Sequence, residues 1–561
     1  ADKNQNALFE YAIDAIVSYV SRADNAAMQQ SAHDGLVAGL KKCGDDPNRA
    51  FLMTQLSKLA RPGDAELFAS YLSDPYLRHY AVNGLSLVPG DDAVVSRVIN
   101  SAAAPDAELA YVAYFRKLKD VEPTLIKWTE SSDPKVLDAV YNALAVCGTD
   151  AAVKALRKAA KAHKFANDPT GATDAYIRLL NNIGGRTAVA SAKELTKAGN
   201  DYARCAGLDI ILRNDAAHAA DNVIAALKDK DIKYRNTALL AAPSIIGDGV
   251  FDAVASKFKS LSPAAKIDVI NWLGNNHVVS QTDLVVENIS SQDMPLAIAA
   301  VNAASKIGGD KSLAALTSAL GDDNELSAAA QAALLSFNGN INSGILEALD
   351  SSDSNVVAKA LRLASARHIY DAYPKTVNLI ANGNSQVNII ALKGLKGVVR
   401  PENFEDVCKM LETVKGQEEI AELQAAAKNA IVSLDADSQF KKVESVMNGK
   451  KDAKIVSRYY PILAQTAAVQ AIDRLLADYN ATKSAEAYDA LMQVNNQSMI
   501  PVLFDIAANN PDKKDATLRR YMQLVQSYGL PAIEQYRLFS NALALAPSVD
   551  VQNALISALA N

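Results

Sequence analysis

Aromatic residues are scarce in this 561-residue chain: Phe, Trp and Tyr together make up 6 %, and tryptophan occurs only at Trp128 and Trp272. Cysteine is rarer still. Cys43, Cys147, Cys205 and Cys408 are scattered without CxxC or Cys/His spacing, which excludes a zinc module and a disulfide framework. All four are expected to be buried as small apolar residues. Positive charge is not in excess: 57 Lys and Arg face 63 Asp and Glu, a net charge of −6, so no nucleic-acid partner is expected. No apolar run approaches the ~20 residues that span a bilayer. The one around Ala238–Ile246 is broken by Pro243.

Chemistry-bearing motifs are missing as well. The chain has no Gly-rich phosphate loop, no GxSxG elbow and no HExxH helix. Asp322 and Asp323 follow Gly321 without EF-hand spacing, so they read as helix caps. No catalytic residue, cofactor or metal site is expected. The chain opens Ala-Asp-Lys-Asn, without a methionine or a signal peptide. That fits a mature exported protein, the favoured compartment, and a trimmed segment equally well.

What is present is alanine, in nearly every apolar run, with 18 prolines and 26 glycines mostly between the runs. Alanine is the best helix former, and it lets helices approach closely. A chain of this length would ordinarily hold about three or four globular domains. Here one period fills it instead. Helix ends recur at Arg213, Ser244, Gly274, Ser305, Ser336, Ser365 and Lys396, every step within one residue of 30. Looser matches run back through Asn181, Ala145, Arg116 and Ser86 and on through Ser433, Ala464, Gln493, Gln526 and Ser557.

Each unit repeats one grammar. An Asp, Pro, Gly or Asn turn leads into a helix with apolar residues at i, i+3, i+4 and i+7. Asp74-Pro75 and Asp133-Pro134 are start signals, the carboxylate capping and proline occupying the first turn. Gly148, Gly184, Gly247 and Gly308 are expected at the left-handed position that ends the second helix. Leu313, Leu316, Leu320, Leu334 and Leu363 read as core. The predicted architecture is all-α: a right-handed α-α superhelix of about sixteen stacked helix pairs. It is expected as one continuous array over 1–561, most regular at 181–396, with irregularities near 163–171, 397–404 and 435–452.

The starts Asp74…Leu77-Arg78…Ala81 and Asp231…Tyr234-Arg235…Ala238 resemble the HEAT-repeat family in its short, bacterial-type form. Asp133…Val136 and Asp353…Val356 keep the shape without the arginine. The resemblance implies an Asp/Arg ladder between units, with Arg78 and Arg235 structural, and second helices lining a concave surface. Deoxyhypusine hydroxylase resembles this fold but binds iron through His-Glu pairs. None of His33, His79, His163, His218, His277 and His368 is followed by glutamate, so that route is closed.

The candidate binding residues are those expected on the second helices: Tyr176 and Arg178, Tyr202 and Arg204, Tyr234 and Arg235, Asn271, Trp272 and His277, and Arg367 and His368. Tyr111, Tyr114 and Tyr141 extend the series, because such side chains combine contact area with hydrogen bonding. Lys154, Arg157, Lys158, Lys161 and Lys164 form a basic stripe, read as a solvated helix face.

The expected function is a non-catalytic scaffold binding a protein or peptide, as the repeat portion of a larger exported bacterial protein. Carbohydrate would enter through a linked sugar-active domain. The alternative is an enzyme or lyase-type accessory protein with its site in the concave groove. The last unit, Val549–Ala560, ends on an apolar face, so another domain or subunit is expected to cover it.

Overall fold

Thirty-six α-helices and eight 3-10 segments make up the computed structural model, which describes residues 3–22, 24–321 and 324–560, with no β-strand among them. The chain divides into two compact units, Ala1–Trp272 and Leu273–Asn561. In the first, the second helices stack in series: Ala107–Arg116 on Pro134–Cys147, then Ala172–Ile183, then Asp201–Asn214, then Ile232–Ile246. The first helices form a second layer, Glu122–Trp128 against Asp150–Ala162 and Ala219–Ala226 against Gly249–Lys257. In the second unit the series runs Met294–Ile307, Glu325–Leu335, Ser354–Ala366, Ser385–Leu395 and Gln417–Ile431. Each unit is an α-solenoid of HEAT-like helix pairs.

The helices start where the caps direct. Asp133 accepts from the Lys135 amide at 2.9 Å, Asp231 from Lys233 at 2.9 Å and Asp353 from Asn355 at 2.8 Å. Asp74 accepts from the Tyr76 and Leu77 amides, though the regular helix begins only at Arg78. Asp322 and Asp323 lie outside the described residues. Leu313, Leu316, Leu320, Leu334 and Leu363 are all buried, as their spacing required. Small residues bring the helices together: a Cβ at Gly274 would stand 2.6 Å from the Ala303 Cα, closer than any side chain could sit.

Three expectations change. Gly184, Gly247 and Gly308 do end helices, but at φ 60 to 78° and ψ −162 to −170°, a region essentially restricted to glycine and not the left-handed well that asparagine shares. Gly148 has an ordinary φ of −72°; glycine is needed there because a Cβ would meet the Leu144 carbonyl at 2.4 Å. Left-handed φ values at helix ends fall on other residues, among them Lys117, His277 and His368 at φ 52 to 55°. Each is followed by an amide that reaches back five residues, as from Val278 to the Leu273 carbonyl and from Ile369 to the Ala364 carbonyl. Among the cysteines, Cys147 and Cys408 are buried, and burial pushes both thiols up to about 12; Cys43 and Cys205 are only half-buried.

The irregular segments have distinct causes. Residues 163–171 form a loop with Lys164 and Phe165 both at positive φ, so Lys164 leaves the helix that carries the rest of the basic stripe. The segment 397–404 holds the 3-10 turn Pro401–Asn403, whereas 435–452 contains a regular helix, Ala436–Met447. No helix among the described residues is long and apolar enough to cross a membrane.

Gly308 and Gly309 separate backbone strain from steric conflict. Both have φ near +80°, but only at Gly308 would a Cβ collide with a neighbour, the Asn338 carbonyl oxygen at 2.2 Å. Gly309→Ala is expected to cost about 1–3 kcal/mol through strain, and Gly308→Ala measurably more. Thermal unfolding midpoints of the two variants check the order.

Candidate binding surface

Within each compact unit the stacked second helices present one face to their neighbours and another to solvent. The polar side chains sort by which of these they serve. Between neighbours, arginines tie one unit to the next. Arg78 pairs with Asp106 and, at 2.9 Å, with Glu108, and it donates to the Leu72 carbonyl. Arg204 reaches Asp229 at 2.5 Å and Asp231 at 3.3 Å. Arg235 meets Asp268 at 2.5 Å and donates to the Asp229 carbonyl at 2.9 Å. This is the Asp/Arg ladder that the family resemblance implied for Arg78 and Arg235, with Arg204 as a further rung.

A second set closes helix C-termini, whose last carbonyls have no partner within their own helix. Arg116 donates to the Leu85 carbonyl at 3.1 Å, Asn338 to Lys306 at 3.1 Å, Arg367 to Leu335 at 2.7 Å and Asn429 to Lys396 at 3.1 Å. The two left-handed histidines do the same: Nδ1 of His277 bonds the Lys306 carbonyl at 2.7 Å, and Nδ1 of His368 the Gly397 carbonyl at 3.1 Å. Each bond joins a unit to its neighbour about 30 residues away. His277, Arg367 and His368, expected as groove contacts, therefore hold helix ends together.

Three further candidates are interior. Tyr176 is fully buried, its ring stacked 6.3 Å from that of Phe165. Trp272 is 5 % exposed and packs 4.7 Å from Phe251. Arg235 is 3 % exposed, its charge matched by Asp268. None of the three side chains can line a surface, because each is enclosed by its neighbours. Tyr234 is half-buried under the Arg204 guanidinium, 4.6 Å from its ring, beside a hollow of about 680 Å³ bounded by Asp215, His218 and Asp221. Asn271 is exposed.

Arg178 and Tyr202 belong to something else, a partly exposed polar chain across four successive second helices. The Tyr111 hydroxyl donates to Asp138 at 2.7 Å, and Asn142 donates to the other oxygen of Asp138 at 3.2 Å. Arg178 donates to Asn142 at 2.5 Å and pairs with Asp174 at 2.7 Å. Asp174 in turn accepts from the Tyr202 hydroxyl at 3.0 Å. The Asp138 bond raises the Tyr111 hydroxyl above the ordinary phenol range; for Tyr202 burial acts first and the Asp174 bond second. Both rings stay open to solvent, 39 % and 53 % exposed, and Phe115, one turn beyond Tyr111, is 67 % exposed. The sequence pointed to Tyr111, Arg178 and Tyr202. It did not single out Asp138, Asn142 or Asp174, although their spacing from the tyrosines, 27 and 28 residues, is one period.

The basic stripe is solvated as expected, with Arg157 and Lys161 both on Glu194, at 2.5 and 3.0 Å. Among the described residues, no group of three or more His, Cys, Asp or Glu side chains converges as a metal site would require.

No protein-family model and no curated protein matches the chain. Solved structures with some similarity include importin beta crystallised in an ammonium sulfate condition, at 13 % identity and TM-score 0.33, covering 98 % of this chain and 73 % of that one. Kap95p, in a structure with RanGDP, gives 13 %, 0.36, 98 % and 87 %. Kap121p bound to Ste12p gives 12 %, 0.34, 100 % and 70 %. Scores of this size do not establish a common overall shape.

The Arg235–Asp268 pair allows a direct test of its structural role. Arg235→Ala strands a buried carboxylate and is expected to cost about 3–5 kcal/mol, whereas Arg235→Met with Asp268→Leu recovers most of that loss. Thermal denaturation of the single and double variants measures both.

Proposed function

We propose that this protein is a non-catalytic scaffold that binds a protein partner on the exposed faces of its second helices. The carrying observation is the chain of Tyr111, Asp138, Asn142, Arg178, Asp174 and Tyr202. Tyrosine combines apolar contact area with a hydrogen-bonding tip, and binding is cheapest where such rings are already held in place. Here the hydroxyls are fixed by carboxylates of the next or preceding unit while the rings stay exposed. Phe115 adds apolar area beside them without a polar role. Tyrosine and arginine are the residue types that dominate protein interfaces.

Two wider parts of this reading have separate support. Ile533 and Val549 are 79 % and 68 % exposed, which favours a covering domain or subunit at the last helices. Membership of a larger exported bacterial protein with a sugar-active domain rests on the Ala/Asn/Asp-rich turns. Intact mass of the native protein matching residues 1–561 alone would remove it.

Substituting Tyr111, Phe115 and Tyr202 by alanine together is expected to weaken capture of the native partner by about 2 kcal/mol or more, as truncation of interface anchors does. Affinity capture from the source cell, quantified by mass spectrometry against the unaltered protein, checks it. Equal recovery by a variant with unchanged helicity would end the proposal.

A further inference from the structure

A second surface lies in the other unit and differs in chemistry. The helices Gln417–Ile431, Tyr460–Gln465 and Ala485–Gln493 follow one another in the stack, and together with the short helix Ala453–Ser457 they border an open hollow of about 550 Å³. Its floor is already satisfied: Gln424 donates to the Arg458 carbonyl at 2.8 Å, and Arg458 donates to the Leu411 carbonyl at 2.5 Å. Its rim is not. Lys415 borders it from the loop just ahead of Gln417–Ile431, Lys454 from Ala453–Ser457, and Glu486 and Asp489 from Ala485–Gln493. All four side chains are exposed, and none forms an ion pair among the described residues. Elsewhere opposite charges of neighbouring repeats do meet, as in Lys393–Glu418 at 2.8 Å on the second helices and Arg474–Glu444 at 2.8 Å on the first.

We propose that this hollow binds an extended segment of a partner protein carrying an acidic and a basic residue a few positions apart. The acidic side chain would sit at Lys415 and Lys454, and the basic one at Glu486 and Asp489. The spacing follows from the stack. Packed helices lie about 8–10 Å apart, and an extended chain rises about 3.3 Å per residue. One helix step from Lys454 to the carboxylates spans about three residues, and two steps from Lys415 about five to six. Gln417 and Gln493, also at the rim, supply amide donors and acceptors suited to the backbone of such a segment. A partner of one charge sign would meet two repelling groups at one end, so the arrangement selects mixed charge and sets the direction of docking.

This inference rests on the scaffold reading but uses residues of the other unit, so the two can fail separately. The probe is a fluorescein-labelled peptide of two glutamates, four alanines and two lysines, measured by anisotropy against the full chain at low salt. It is expected to bind about tenfold or more tightly than peptides of the same length with only glutamate or only lysine at the charged positions. Lys415→Glu with Lys454→Glu is expected to abolish that preference. Adding Glu486→Lys and Asp489→Lys is expected to restore it, with the peptide reversed. Because all four side chains are exposed, the variants should keep their helicity, which circular dichroism checks. Equal binding of the single-sign peptides, or folded variants without either effect, overturns the proposal. So does full competition by free glycine, which would mean a small zwitterion site.

Discussion

A helix of some twelve residues cannot bury its apolar side alone, and each unit of this protein follows from that limit. Within each of the two compact units the second helices share their apolar faces with the preceding and following helices of the stack. Close approach is part of the same constraint. Where Gly274 faces Ala303 there is no room for even a methyl group, and alanine dominates the buried positions of Met294–Ile307. Stability is therefore relational: a unit is held by its neighbours.

Stacking leaves polar groups to be matched at regular intervals, and side chains of adjacent units match them. Arg78, Arg204 and Arg235 join the turns, while Arg116, Asn338, Arg367 and Asn429 close the carbonyl ends of neighbouring helices. Glu122 does the same at an N-terminus, accepting from the Thr149 and Ala152 amides at 2.6 and 3.1 Å. Most of the arginines and asparagines that suggest a binding site in the sequence are used in this way. The polar surface left over is smaller and more specific. It includes the tyrosine–carboxylate chain in the first unit and the four charges around the hollow in the second.

The period of 30, the caps and the leucine positions were legible because they depend on neighbours within one helix turn or one repeat. The candidate site was legible only in part. Tyr111, Arg178 and Tyr202 stood out as residue types, but Asp138 and Asp174 looked like any other acidic residue near a turn. What distinguishes them is a hydroxyl one unit away.

From sequence alone came the helical class, the repeat and the Asp caps, since local propensity and a single recurring spacing determine them; the Asp/Arg ladder was implied by the family resemblance. Tertiary structure decided which face each side chain occupies. A helix places successive residues 100° apart, so neighbours in sequence part company: Tyr202 is at the surface and Ala203 buried, Tyr234 half-open and Arg235 enclosed. It also decided how helices end. Gly184, Gly247 and Gly308 adopt a conformation essentially restricted to glycine, and His277 and His368, at left-handed turns, bond the next repeat through Nδ1. Those outcomes depend on contacts about 30 residues distant, and no local pattern carries them.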